Sequence, residues 1–181
     1  FEKLLKVQGI GNGKACLICA ALEFGSRYNN FKGKVIRSCN DVIPLVQFYA
    51  LQQQEHFICI SLNGGHEIIN IKIVSIGTVN KTIIHPREVF ADPLKDRAVA
   101  VIVCHNHPSN NVQPSKEDID VTTKLFEAAE ILGIKLLDHI IISTTAYFSF
   151  EKEGIIQNIE KILNQKKNHI KSNTELENLF N

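Results

Sequence analysis

With 181 residues, 44% of them hydrophobic, and a formal net charge of +1, the chain is long enough for one core domain with a small appendage. That composition excludes an intrinsically disordered chain, and the near-neutral balance gives bulk electrostatics no reason to gather nucleic acid. No apolar run approaches the ~20 residues of a membrane span, and no signal peptide is recognisable.

Residues 1 to 8 predict the end of one helix, Gly9-Ile10-Gly11-Asn12-Gly13 a tight turn, and Lys14 to Phe24 a second helix. The pattern resembles a helix-hairpin-helix module, whose backbone N–H groups at a helix N-terminus can meet a phosphate. Gly9, Gly11 and Lys14 are then candidate DNA-backbone contacts, and residues 1–34 carry six Lys or Arg against two Glu. A helical hairpin used only for packing or for contact with a partner fits as well; a single clipped copy would bind DNA weakly at most. Cys16-x-x-Cys19 has a redox-like spacing, but no strand precedes it, so two small buried helix residues are expected. The five cysteines form no spaced framework, which suits reduced thiols in a cytoplasmic protein.

Residues 25 to 40 are polar and turn-rich and predict a linker. Asp41 is the expected N-cap of a helix from Val42 to Gln54, with Pro44 in its first turn. Phe57 to Leu62 predicts a strand, Asn63-Gly64-Gly65-His66 a hairpin turn, and Glu67 to Ile76 the returning strand. Gly77 to Asn80 turns again and Thr82 to His85 is a short strand. Pro86 opens a helix that continues from Arg87 to about Leu94. Val99 to Cys104 is short, rich in β-branched residues and closed by a nearby Pro, as a buried strand is. Ser115 is the N-cap of a helix with Asp118 in its first turn, running to Leu132 and closed by Gly133. Ile134 to Ser143 predicts another buried strand and Tyr147 to Phe150 a last short one. Gly154 to Lys167 predicts a helix, followed by a polar tail.

Chemistry concentrates between the strand at Val99 and the helix at Ser115. His105 and His107 are two apart on an extended chain, so both imidazoles face one side. Asp118, in the first turn of the next helix, can reach back to them. Two imidazoles, one carboxylate and an open fourth position make a catalytic zinc site. Other H-x-H sites fit worse. The β-lactamase-type motif continues H-x-H-x-D-H, but Ser109 and Asn110 stand here; a cupin needs an earlier acid than Glu117. An amidohydrolase barrel needs ~250 residues, and the letters H-N-H alone do not make an HNH nuclease. Cys104 adjoins His105 and should point away from the metal face.

The arrangement His105-x-His107, seven residues, Ser115, two residues, Asp118 resembles the JAMM (MPN+) metallopeptidase motif. H-N-H-P-S at 105–109, L-L-D-H-I-I-I at 136–142, H-P-R-E-V-F at 85–90 and the G-I-G-N-G-K-A stretch near the start are similar to the bacterial RadC family. Asn110 replaces a Gly usual in that loop, which should alter loop geometry rather than metal binding, since Asn tolerates left-handed backbone. The resemblance covers residues 1 to 154. It implies missing N-terminal sequence, and the chain does start at Phe1 without any Met.

What the resemblance implies is an α/β fold: a mixed sheet flanked by helices, of the cytidine-deaminase-like JAMM/MPN architecture, with a small helical hairpin at the N-terminus. The expected domains are 1–30, a partial helix-hairpin-helix; 38–155, the RadC-type JAMM/MPN domain; and 156–181, a C-terminal helix and tail. The implied activity is hydrolysis of a peptide or isopeptide bond in a peptide or protein substrate, with one zinc ion per chain. Glu55 matches the family's general base, although by periodicity it is an acid at a helix end. Ser115 either caps its helix or donates to the oxyanion, the family's assignment. Asp138 and His139 either support a ligand His by hydrogen bonding or form a core pair. The second function class is a DNA-repair-associated accessory protein binding DNA through the hairpin.

Overall fold

The computed structural model describes residues 1–28, 31–77 and 84–166, which fall into two compact units, Phe1–Lys32 and Gly33–Asn181. The first unit holds α1 (Glu2–Leu5) and α2 (Asn12–Tyr28). Gly9 turns the chain between them at φ +85°, a backbone that costs glycine little. Lys14 Nζ donates to the Gly9 carbonyl at 3.1 Å, and the Ala15 N–H donates to the Gly11 carbonyl at 2.9 Å. The helix is longer at both ends than its apolar spacing predicts. Cys16 is exposed and Cys19 half-buried, so the expected burial of this pair does not hold.

The second unit is built on a five-stranded mixed sheet in the order β2-β1-β3-β4-β5. Its strands are β1 (His56–Leu62), β2 (Ile68–Ile76), β3 (Ala100–Asn106), β4 (Lys135–Ile142) and β5 (Tyr147–Ser149). β3 and β4 run parallel; every other neighbouring pair is antiparallel. A parallel pair needs a crossover, and α5 (Lys116–Leu132) supplies it. The remaining helices are α3 (Cys39–Val46), a 3₁₀ turn (Gln47–Leu51), α4 (Pro86–Lys95) and α6 (residues 155–166).

β1 and β3 are buried along their whole length, because both faces of the sheet are covered. On one face Phe57, Cys59, Val101, Val103 and Ile141 pack with Val89 and Phe90 of α4, Leu125 and Phe126 of α5, and Ile156, Ile159 and Leu163 of α6. Burying such side chains is worth roughly 1.5–3 kcal/mol each. The alternate residues Ile58, Ile60, Ile102, Cys104 and Ile140 turn to the other face, and Val42, Val46 and Ala50 are buried outside the first cluster. Burial pushes the Cys59 thiol up to about 12 and the Cys104 thiol well above its usual range.

Two expectations need correction. α3 starts at Cys39 behind Ser38, and Asp41 sits at its third position. The Asp41 carboxylate accepts from the N–H groups of Arg37 at 2.9 Å and Ser38 at 3.0 Å, closing the helix start from inside. The α-helix also stops at Val46 and tightens into the 3₁₀ turn instead of reaching Gln54. The strand expected over Thr82 to His85 lies largely outside the described residues; His85 itself is the N-cap of α4. The expected tail beyond residue 166 also lies outside them. No helix among the described residues is long and apolar enough to cross a membrane.

Candidate metal centre

β3 carries His105 to its end, and the loop after it returns through Asn110 at φ +60°. The Asn110 side-chain carbonyl accepts from Thr144 N–H at 3.2 Å and Thr144 Oγ1 at 2.7 Å, tying the loop to the turn after β4. The Asn that replaces Gly therefore adopts the left-handed backbone and adds an anchor. The loop then delivers Ser115, the N-cap of α5. Its Oγ accepts from Asp118 N–H at 3.1 Å, while the Asp118 carboxylate accepts from Ser115 N–H at 2.7 Å. This is a reciprocal capping box with Asp in place of Glu.

The box aims the carboxylate. Oδ2 of Asp118 is taken by Ser115 N–H and by Ser115 Oγ–H, the latter at 2.6 Å. Oδ1 is left to face His105 Nε2 at 3.2 Å. His105 Nε2 and His107 Nε2 lie 2.9 Å apart, and His107 Nε2 lies 3.7 Å from Asp118 Oδ2. His105 and Asp118 are buried, whereas the His107 side chain is 13% exposed and opens the cluster to solvent. Burial works against a charge on Asp118, but the neighbouring His105 imidazole and the Ser115 donors outweigh it. Its carboxyl is held well below the usual carboxylate range.

These three residues form the one cluster of metal-competent ligand atoms among the described residues, all within 4.8 Å of one another. The donor chemistry fits a divalent metal. His107 Nδ1 lies 2.6 Å from the Asn111 carbonyl, which can only accept, so Nδ1 carries a proton and Nε2 is the ring nitrogen turned to the cluster. Two imidazole nitrogens and a carboxylate oxygen, with one side open, can hold a divalent ion and leave it a free position.

The family description RadC-like JAB domain matches residues 36–155. The chain belongs to that family. A UPF0758 protein of Clostridium acetobutylicum is 42% identical over 160 residues, which are 86% of this chain and 70% of that protein. The UPF0758 protein YsxA of Bacillus subtilis is 42% identical over 159 residues, 86% of this chain and 69% of YsxA. A UPF0758 protein of Methanospirillum hungatei is 40% identical over 161 residues, 86% and 72% of the two chains. The JAB-domain span contains every donor of the cluster, and residues 1–35 lie outside it.

Within this RadC-like domain, Glu55 stands one residue before β1 and is not in the donor cluster. The β1–β3 register sets Phe57 opposite His105, with their rings stacked at 6.0 Å. The pairing ends there, two residues short of Glu55. Asn106 holds this segment. Its Oδ1 accepts from His56 N–H at 2.7 Å, and its Nδ2 donates to the carbonyls of Gln54 at 3.0 Å and Gln52 at 3.3 Å. No sequence motif marks Asn106, although alternation alone puts the middle residue of H-x-H on the face opposite the two imidazoles.

Asp138 and His139 part company. His139 is buried on the site face, with Nε2 2.8 Å from His105 Nδ1 and Nδ1 2.6 Å from Thr122 Oγ1. Asp138 lies on the other face, accepting from Ser149 Oγ at 2.6 Å and Glu151 N–H at 2.9 Å, away from the ligands. Their side chains form no core pair. Burial pushes the Asp138 carboxyl up to about 6 against those hydrogen bonds, and burial beside His105 holds His139 well below its ordinary pKa.

Proposed function

We propose that this protein is a zinc-dependent amide hydrolase of the JAMM type, acting on a peptide or isopeptide bond. The observation that carries the reading is the convergence of His105 Nε2, His107 Nε2 and Asp118 Oδ1 at a half-open position. Zinc held by these three atoms supplies a Lewis acid and makes water acidic enough to attack a carbonyl near neutral pH.

The chain's own groups do the rest. Glu55, from the segment that Asn106 holds beside the imidazoles, takes the proton of the attacking water and returns it to the departing nitrogen. Ser115 Oγ–H turns from Asp118 Oδ2 toward the oxygen that becomes negative as the carbonyl is attacked. Asp118 Oδ2 keeps the Ser115 N–H when the hydroxyl turns, so capping and donation are compatible. The exposed edge of His107 marks the side from which a substrate chain approaches.

The test separates metal binding from catalysis. Glu55→Gln keeps shape and removes basicity; it should fold, carry zinc, and lose on the order of 10²–10⁴ in amide hydrolysis. His107→Ala should lose zinc and activity together. Zinc per chain and hydrolysis rate, measured side by side on a peptide library, decide. A Glu55→Gln variant at the parental rate leaves the base elsewhere, and a parent that neither holds zinc nor cleaves any amide defeats the reading.

A second reading, weak DNA contact through the first unit, is favoured by the glycine turn at Gly9 and Gly11, with Lys14 beside it. Salt-sensitive binding of a duplex that disappears on deleting residues 1–34 supports it; tight binding retained by residues 38–181 moves the contact elsewhere.

A further inference from the structure

We propose that Thr122 and His139 are positioning residues that decide which nitrogen of His105 carries its proton, and thereby make His105 a ligand. The inference rests on the metal-site reading above and adds two residues to it. The two hydrogen-bond contacts of the Thr122 hydroxyl are both short. Oγ1 lies 2.6 Å from the Asp118 carbonyl, one turn back in α5, and 2.6 Å from His139 Nδ1.

A hydroxyl has one proton to give. A carbonyl oxygen can only accept, and two oxygens do not approach to that distance without a proton between them. The Thr122 proton therefore points at Asp118. Oγ1 then meets His139 as an acceptor, so His139 Nδ1 carries the N–H. His139 is wholly buried, its ring stacked on Phe150 at 4.7 Å and met edgewise by Phe57 at 5.6 Å. Such surroundings favour the neutral imidazole, whose other nitrogen, Nε2, is an acceptor. That Nε2 lies 2.8 Å from His105 Nδ1. His105 must donate there, so its Nδ1 is closed to a metal, and Nε2, which faces His107 Nε2 at 2.9 Å and Asp118 Oδ1 at 3.2 Å, is the ring nitrogen left for one. Asp118 thus enters twice, through its carboxylate as a metal donor and through its carbonyl as the anchor of the chain.

The fold builds this arrangement from two local features. The four-residue spacing from Asp118 to Thr122 lets a helical hydroxyl bond back to the preceding turn. The β3–β4 pairing matches Val101 with Leu136 but Ile102 with Asp138, so Leu137 is an extra residue. That bulge reverses the alternation of β4 and turns His139, instead of Asp138, to the site.

The test compares the parent with Thr122→Ser and Thr122→Val. Serine keeps the hydroxyl and loses a methyl group; valine keeps the volume and loses the hydroxyl. Cobalt(II) affinity by chelator competition, and the cobalt d–d spectrum, report on the ligand set. Thr122→Val should bind cobalt 10–100-fold more weakly with an altered spectrum, while Thr122→Ser stays near the parent. A packing role predicts the reverse order, and parental affinity and spectrum in Thr122→Val overturn the proposal. Imidazole ¹⁵N shifts of the metal-free protein read the tautomers directly, so the relay is judged even if the metal reading fails. A proton on His105 Nδ1 in the parent that is lost from Nδ1 in Thr122→Val supports it; a parent His105 without a proton on Nδ1, or a variant that keeps it, overturns it.

Discussion

Two helices of the second unit begin with the same four-residue pattern. α3 is entered through Ser38-Cys39-Asn40-Asp41 and α5 through Ser115-Lys116-Glu117-Asp118. In both, the carboxylate three residues after the cap accepts the cap's own N–H, at 3.0 Å in α3 and 2.7 Å in α5. In both, donors and the positive end of the helix favour the charged acid, and its pKa is lowered. Yet Asp41 stays at the surface, where the N–H groups of Arg37 and Ser38 suffice to hold it down. Asp118 is 2% exposed and faces two imidazoles. The capping pattern specifies where a carboxylate points along its own helix. Whether that carboxylate becomes a metal donor depends on which strand end the helix start faces.

The widest separation between the two starts should come from Asp118→Asn against Asp41→Asn. Asparagine can still accept the cap N–H, so each helix start survives. Asp118→Asn removes the charge and a donor, and should weaken metal binding by more than the 10–100-fold typical of losing an outer hydrogen-bond partner. Hydrolysis should fall with it. Asp41→Asn should leave both at parental values. Chelator competition on the purified variants measures this, and parental metal affinity in Asp118→Asn would collapse the distinction.

The caps themselves give the next contrast. Ser115→Ala should cost about 1 kcal/mol of stability, the usual size for an N-cap, and Ser38→Ala less, because Ser115 Oγ accepts the Asp118 N–H whereas Ser38 Oγ makes no such bond. Ser115→Ala alone should also slow hydrolysis, on the order of 10²–10³ if its hydroxyl serves the oxyanion. Denaturation midpoints and rates on the same preparations separate the two effects; equal rates for both alanine variants would reduce Ser115 to a cap.

The unequal legibility of these parts has a physical basis. His105, His107 and Asp118 could be read together because alternation and a helix start are local rules. Both ends of α5 were equally plain, from Ser115 and from Gly133 at φ +69°. The start of α3 is ambiguous in the sequence because Asp is a good cap in its own right, and Pro44 suits the first turn counted from either residue. Thr122, Asn106 and the separation of His139 from Asp138 depend on strand register. One extra residue, Leu137, decides the faces, and no periodicity in β4 announces a bulge. Glu55 is marked only by family resemblance, since its local spacing is that of any acid at a helix end.

Asp138 sharpens the comparison by supplying burial without imidazoles. It is 6% exposed and accepts two hydrogen bonds, yet its carboxyl rises to about 6 from 3.8, whereas that of Asp118 falls. Burial alone therefore does not make an anion; the partners do. Between about pH 4 and 6 the folded state holds the Asp138 proton and the unfolded state has released it. Stability falls as pH rises through that window. Asp138→Asn keeps an acceptor for the Glu151 N–H and should gain on the parent by up to roughly 3 kcal/mol between pH 4 and 7. Denaturant midpoints of both proteins across that range test it, and a gap independent of pH would mean that Asp138 is ionised throughout.

The smallest effect, and the opposite sign, belongs to Asp41. Its pKa is lowered by the N–H groups of Arg37 and Ser38, with burial working weakly the other way. A carboxylate of this kind stabilises the fold above its ordinary pKa near 4, and the contribution disappears as pH falls through the lower folded value. Asp41→Asn should accordingly be slightly less stable than the parent at pH 7, and the difference should close on acidification. At this surface position water can take over the N–H groups that the carboxylate leaves, so the deficit stays small. Thermal unfolding of parent and variant from pH 7 to pH 3 reads both the sign and the closure. A deficit that widened toward low pH would show that Asp41 is held by something other than its own helix start, and the likeness between the two starts would end there.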